Sequence, residues 1–286
     1  MNDLPYFTAI GAWGDVFACY ARICLMMKET GLPKANILHY GFDPHIKDFL
    51  EYQDNIEEVL HLVPDSLGAY DDVIAEANTG SMDWINELKG WAHLNHNLMI
   101  MGHTTHDIIS KKIINRHFDY RIPPSSVPLP LHSVLFNPYS FQSCSFRAHW
   151  PFMPNVLRFL LDETDWHVVL VGQEKTFNTN GEYWDFPMIV DHPEVTNLVG
   201  KTESMFEVLA IAEDCEAIIS TSNCLSLWSI IADKPSIVLM NSKLTDPFVI
   251  GHEYWKEWVE TEPNKCVYYD QNFDQFRKAY QGWNVS

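Results

Sequence analysis

Residues 217–240 read AIISTSNCLSLWSIIADKPSIVLM, and this stretch decides the fold. Ala217–Thr221 and Ser236–Met240 are compact, largely apolar runs, and Cys224–Ala232 between them reads as a helix. Apolar runs of this kind are expected of strands buried on both faces, and an intervening helix supplies the crossover that parallel strands require. Ser220, Thr221, Ser222 and Asn223 crowd the strand-to-helix turn. Hydroxyls together with the amides of a helix start form an anion cradle that needs no basic residue. The ordinary alternative is a helix cap supplied by Ser222 or Asn223.

Outward from this unit the same alternation continues. Strands are expected at Ser133–Asn137, His167–Val171 and Val195–Val199, with helices at Pro154–Leu161 and Met205–Ala212. Ser204 and Glu207 have the spacing of a capping box at the start of the latter. A weaker strand at Cys266–Tyr269 and a helix at Phe273–Tyr280 complete the second half. The first half repeats the theme. It has strands at Tyr6–Ile10, Asn36–Tyr40, Glu58–Leu62 and Asn97–Met101, and helices at Asp15–Thr30, Pro44–Tyr52 and Asp83–Gly90. Strand–helix alternation implies an α/β protein with parallel sheets covered on both faces. Between the halves, residues 121–130 read RIPPSSVPLP, which suits neither a helix nor a central strand and is read as a linker. The expected organisation is an N-terminal domain at 1–122, a Pro-rich linker at 123–132, a C-terminal domain at 133–270 and a closing helix at 271–286.

Composition narrows the function. The 19 basic residues face 38 acidic ones, for a formal charge of -19, which disfavours non-specific binding to a phosphate backbone. The six cysteines form no CxxC pair and fit neither a zinc site nor a disulfide framework. No apolar run is long enough to span a bilayer, and the N-terminus lacks the features of a signal peptide, so a cytoplasmic protein without a transmembrane segment is expected.

Several turns carry candidate chemistry. Gly11-Ala-Trp-Gly14-Asp15 follows the first strand and opens a helix. It sets Asp15 at the carboxyl end of the sheet, where open α/β folds bind ligands. Asp15 is either a working carboxylate or a helix cap. Trp13 beside it reads either as core, like most of the tryptophans, or as a ring for stacking on a sugar or base. The pattern is not GxGxxG, so no dinucleotide site is indicated. Asn137-Pro-Tyr-Ser140 ends a strand of the second half, and Arg147 follows, either a surface arginine, which spacing alone favours, or a guanidinium for phosphate. Glu174, after His167–Val171, is either a ribose-binding carboxylate or a solvated loop acid. His93, His96, His103 and His106 form two HxxH pairs, but without Cys partners and separated by an apolar run they are not read as a metal site. No GxSxG elbow, P-loop or HExxH occurs.

Taken in order, these residues resemble the bacterial lipopolysaccharide heptosyltransferase family of GT-B glycosyltransferases. The match runs through Gly14-Asp15, Phe136-Asn-Pro-Tyr-Ser140, His149-Trp-Pro151, Val168–Gly172 before a Glu, Asn197–Thr202 before a helix, and Ser220–Cys224 before a helix ending in Asp233-Lys-Pro235. The resemblance implies two Rossmann-like domains facing across a cleft. It implies inverting, metal-independent transfer from a nucleotide-sugar co-substrate, with no other cofactor. Asp15 matches the family's catalytic carboxylate. Donor contacts are implied at Ser140, Arg147, Glu174, Lys201, Thr202, Ser222, Asn223 and Cys224, and acceptor-side contacts at Trp13 and Gly14. Where the family usually has Asp-Thr-Gly, this chain reads Ser222-Asn-Cys224, and Leu227 and Ala148 stand at two further departures. ADP-heptose as donor is therefore not implied. The expected acceptor is a saccharide or glycolipid. The alternatives are a hydroxymethylated DNA base as acceptor, or a nucleotide- or sugar-binding protein without catalysis.

Overall fold

A computed structural model describes residues 4, 6–66, 68–69, 98–99, 120–138, 152–177, 183–185, 191–221, 223–240, 264–268, 273–283 and 285. The chain divides into two compact units, Met1–Ile122 and Pro123–Ser286.

The first unit contains β1 (Tyr6–Ile10), α1 (Trp13–Thr30), β2 (Ala35–Tyr40), α2 (His45–Glu51), β3 (Ile56–Leu62) and β4 (Leu98–Met99). Its strands pair in parallel in the order β3-β2-β1-β4. All six residues of β2 are buried, as a central strand covered on both faces requires. Trp13, Phe17 and Tyr20 on α1 pack around Phe49 of α2 at ring separations of 5.5 to 5.8 Å. α1 stops at Gly31, where the Leu32 amide returns to the Met27 carbonyl in a Schellman closure. The expected helix at Asp83–Gly90 lies outside the described residues.

The second unit contains β5 (Ser133–Asn137), α3 (Met153–Glu163), β6 (His167–Leu170), β7 (Lys175–Phe177), β8 (Tyr183–Asp185), β9 (Val195–Asn197), α4 (Met205–Asp214), β10 (Ala217–Thr221), α5 (Cys224–Ile231), β11 (Ser236–Met240), β12 (Lys265–Tyr268) and α6 (Phe273–Gln281). Its main sheet is parallel throughout, in the order β12-β11-β10-β5-β6-β9. Counted from β5, this is the doubly wound 6-5-4-1-2-3 order of a Rossmann-type sheet. On one face Val134, Phe136, Val168, Leu170, Ile219 and Leu239 bury against Met153, Val156, Leu157 and Leu160 of α3 and Phe276 of α6. The 153/156/157/160 spacing is the i, i+3, i+4, i+7 stripe of a core-facing helix. α6 thus packs into the core of this unit.

Local signals explain the helix ends. Ser204 caps α4 by accepting the Glu207 amide at 3.2 Å, while the Glu207 carboxylate reaches one residue further back, to the Glu203 amide at 2.7 Å. At the other end of α4, Lys234 donates to the Glu213 and Cys215 carbonyls at 2.6 and 2.9 Å. The antiparallel pair β7–β8 has no counterpart in the sequence reading. Its strands are three residues each, too short for an apolar period to show.

Candidate functional site

Open α/β sheets take ligands at the carboxyl ends of their strands, at the point where the strand order reverses. In the second unit that point is between β5 and β10. Asn137, the last residue of β5, is buried and donates its amide to the Val171 carbonyl at 3.1 Å. Its carboxamide oxygen accepts the Asn223 amide at 2.6 Å, and Asn223 also donates to the Thr221 hydroxyl at 3.2 Å. The Asn223 oxygen accepts the Leu225 amide at 2.9 Å, and the Ser226 hydroxyl accepts the Asn223 amide at 3.0 Å. Asn223 is therefore the cap of α5, one of the two residues considered for that role, and it ties the helix start to β5. The Ser220 hydroxyl, buried on β10, has no hydrogen-bond partner among the described residues. Cys224 opens α5, half-buried, with its sulfur 4.0 Å from that of Met205.

Two further turns flank this mouth. Gly200 has φ +67°, a left-handed conformation that a side chain resists. A Cβ there would fall 2.2 Å from Cγ and 2.8 Å from Cδ of Glu174, so the Glu174 side chain lies directly over the Gly200 backbone. The Gly200 amide bonds the Gly172 carbonyl at 2.9 Å, which joins the ends of β6 and β9. Lys201, exposed, donates to the Asn197 carbonyl at 2.7 Å, and half-buried Thr202 follows the turn. Ser140, Arg147 and Ser222 lie outside the described residues, as do His93, His96, His103 and His106.

In the first unit the reversal point lies between β1 and β4. Gly14 and Asp15 fall in the first turn of α1, directly after the end of β1; for Asp15 the backbone alone is described. Trp13 is 7% exposed and packs on Phe17 and Phe49, so its ring is part of the core rather than an open stacking platform. Its indole N–H donates to Asp43 Oδ2 at 2.7 Å, while Asp43 Oδ1 accepts the His45 amide at 2.9 Å. One carboxylate thus fastens the start of α1 to the start of α2. Sequence reasoning passed over Asp43; the only signal was an acid just ahead of a Pro-led helix.

Sequence reasoning also passed over a histidine pair. His39, fully buried on β2, stacks on His61 of β3 with centroids 4.9 Å apart and planes 8° from parallel. Its Nδ1 lies 3.2 Å from the Ala9 carbonyl, which can only accept, so the proton resides on Nδ1. By the same argument His61 donates through Nε2 to the Gly41 carbonyl at 2.8 Å. Burial, and then the neighbouring His61, push the His39 pKa down to about 3, so the ring is neutral.

No family model and no curated protein sequence matches the chain. Solved structures do. The glycosyl transferase family 9 protein from Veillonella parvula superposes with a TM-score of 0.57 at 13% identity, over 97% of this chain and 88% of that one. The E. coli heptosyltransferase WaaC with ADP-2-deoxy-2-fluoro heptose gives 0.53 at 11% identity, over 97% and 98%. The iron-containing dodecameric glycosyltransferase TibC from enterotoxigenic E. coli gives 0.53 at 12% identity, over 87% of this chain and 62% of that one. Two parallel sheets, the second with Asn137, Thr221 and Asn223 at its point of reversal, and this likeness together give the chain the fold of the heptosyltransferase-like glycosyltransferases.

Proposed function

We propose that the chain is a glycosyltransferase that moves a sugar from a nucleotide-sugar to an acceptor hydroxyl, with inversion and without a metal. The observation that carries this reading is the polar mouth of the second unit, where Asn137, Thr221 and Asn223 meet at the reversal point of a doubly wound sheet. Such crevices are where this class of sheet takes nucleotides. The names of the similar structures, which include ADP-heptose and a fluorinated analogue, point to a nucleotide diphosphate sugar as the donor class.

The assignment of roles follows from the chemistry. Glu174, held over Gly200, is set to accept the hydroxyls of a ribose. The start of α5 at Asn223 and Cys224, Lys201 and Thr202, and the residues Ser140, Arg147 and Ser222 serve the diphosphate. Asn223 already engages the Leu225 amide, so the remaining donors of that turn and the cations carry the anion. On the acceptor side, Asp15 takes the proton of the acceptor hydroxyl as its oxygen forms a bond to the anomeric carbon. The anomeric bond to the diphosphate breaks from the opposite face, and the nucleoside diphosphate leaves with the electron pair. Oriented amides and cations at the second mouth stabilise that charge. The transfer requires donor and acceptor to share one cleft, the arrangement that the resemblance implies. Gly14 precedes Asp15 without a side chain of its own, and Trp13, bonded to Asp43, anchors the turn that carries both.

The test is a panel of ADP-, UDP- and GDP-sugars, read as release of nucleoside diphosphate, with Asp15→Asn alongside. The expected result is turnover of one donor class, abolished in Asp15→Asn while ADP binding is kept. A variant with unchanged turnover would falsify the general-base role. Binding without turnover of any donor would favour a non-catalytic binding protein instead.

A further inference from the structure

The stacked imidazoles of the first unit hold a buried polar atom that the proposed transfer does not use. His39 is fully buried, yet its Nε2 has no hydrogen-bond partner among the described residues. A buried acceptor left unpaired calls for an explanation, because an apolar side chain of similar size avoids it. What the imidazole supplies, and an apolar residue cannot, is the Nδ1–H bond to Ala9 together with a flat face for His61.

Those two contacts reach the turn that precedes Asp15. Ala9 is the second-last residue of β1, and its carbonyl is held by His39. The Gly41 carbonyl is held by His61, and the Gly41 amide by the Leu62 carbonyl at 3.2 Å. Gly41 in turn abuts Gly11: a Cβ on Gly41 would lie 2.6 Å from Cε1 of His39 and 2.8 Å from the Gly11 carbonyl oxygen. The Gly11 amide bonds the Tyr40 carbonyl at 3.1 Å, and α1 begins two residues later, with the Val16 amide returning to Ala12. Three strand ends are thereby fixed against one another, and the first helical turn grows out of the fixed point.

We propose that the His39–His61 stack is a positioning element of the transfer reaction, setting the turn after β1 that presents Gly14 and Asp15. This rests on the reading of Asp15 as the general base. The imidazoles do not touch substrate. They act through Ala9, Gly41 and Gly11, and the tight Gly41 contact transmits the position of His61 because nothing there can yield without moving backbone. General-base catalysis is sensitive to this, since misplacement by about 1 Å can lower a rate by roughly a hundredfold.

The experiment uses the full chain and compares His61→Phe, which keeps an aromatic face and loses the donor to Gly41, with His61→Gln, whose amide reproduces an Nε2 donor. His39→Asn and His39→Leu form the matching pair, Asn reproducing the Nδ1 donor. The first readout is hydrogen exchange over residues 9–16, which needs no substrate. His61→Phe and His39→Leu are expected to speed exchange there by roughly tenfold or more, as loss of a buried hydrogen bond would. The Gln and Asn variants are expected to stay near the unmodified protein. The second readout is turnover of ADP-heptose, or of whichever panel donor is consumed. The Phe and Leu variants should lose kcat with the donor KM unchanged, and the Gln and Asn variants should recover it. Unchanged exchange over 9–16 in His61→Phe overturns the proposal. So does faster exchange there with kcat intact in a protein that Asp15→Asn inactivates. If Asp15→Asn remains active, the general-base reading fails, and the exchange data still decide whether the stack sets the turn.

Discussion

The side-chain amide of Asn223 and the carboxamide oxygen of Asn137 meet at 2.6 Å, joining the start of α5 to the end of β5 at the point where the second sheet reverses its winding. One residue therefore caps a helix and braces the floor of the proposed nucleotide mouth. Asn223→Asp keeps an oxygen for the Leu225 amide, loses the donor to Asn137 and Thr221, and adds a negative charge beside the proposed diphosphate. We expect the melting temperature to shift by little more than loss of one hydrogen bond, about 1 kcal/mol, while ADP affinity measured by calorimetry falls at least about tenfold. Asn137→Leu, which removes the donor to the Val171 carbonyl and leaves the Asn223 amide with Thr221 alone, should instead destabilise the unit by about 1–3 kcal/mol. Undiminished ADP affinity in Asn223→Asp would remove the diphosphate from this end of the sheet.

Gly200 and Glu174 give a prediction in which stability and binding separate. Alanine at Gly200 meets two obstacles, a left-handed backbone and the overlying Glu174 side chain. The backbone term costs about 1–2 kcal/mol and stays whatever stands at 174. Glu174 is exposed and can swing aside, at the expense of its place over the glycine. Urea denaturation should therefore show Gly200→Ala destabilised by that amount with or without Glu174→Ala. ADP affinity should behave differently, falling as far in Gly200→Ala as in Glu174→Ala and no further in the double variant. Additive losses of affinity would show that Glu174 does not bind from its position over Gly200.

Two histidines give the units opposite responses to pH. His39 is held far below its ordinary value of 6.5, at about 3, by burial and then by His61. Between about pH 6.5 and 3 the unfolded chain binds a proton that the native ring refuses, so His39 favours the fold above that window. The stability it contributes drains away on acidification, by about 2 kcal/mol at pH 5. His132 is the reverse case. Partial burial alone would lower it, but Glu216 and then Asp165, at 3.0 and 3.2 Å from its two nitrogens, raise it. Both nitrogens can donate only in the imidazolium, which also stacks on Trp166 at 3.9 Å. Its contribution is present below pH 6.5 and is lost as pH rises through the elevated value. The difference in unfolding free energy between the unmodified chain and His39→Asn should thus shrink on acidification, and that for His132→Asn should shrink on alkalinisation. Parallel pH profiles for a variant and the unmodified chain would remove the corresponding assignment.

The strands were legible because most are short apolar runs buried on both faces: Ser133–Asn137, Ala217–Thr221 and Ser236–Met240 begin and end where the apolar pattern does. The mouths were legible as turn chemistry. What the turns do was not, because the same Asn223 reads as a cap or as an anion ligand, and only the Leu225 and Asn137 contacts show how its atoms are divided. His39 was hidden inside ANILHY, where a histidine in a buried strand carries no periodic signal and its partner His61 is 22 positions away. Trp13 misled for a related reason. Its neighbour Asp15 suggested exposure, while Phe17 and Phe49, brought together by the α1–α2 packing, claim its ring.

Cys224 offers a chemical probe of the second mouth. It is the first residue of α5 and half-buried, so a modest opening brings its thiol to solvent beside the proposed diphosphate. Cys24 is similarly half-buried but lies in the first unit, on α1. Cys215 is buried, and its thiol is pushed up to about 12, so it stays protonated and inert. Iodoacetamide labelling followed by peptide mass mapping should therefore modify Cys224 and Cys24 ahead of Cys215. Saturating ADP should slow Cys224 by the fraction of time the mouth is filled, roughly a hundredfold at a hundred times Kd, and leave Cys24 untouched. If ADP binds yet slows both thiols equally, the protection is a global stabilisation. If it binds and slows neither, the nucleotide sits away from the start of α5.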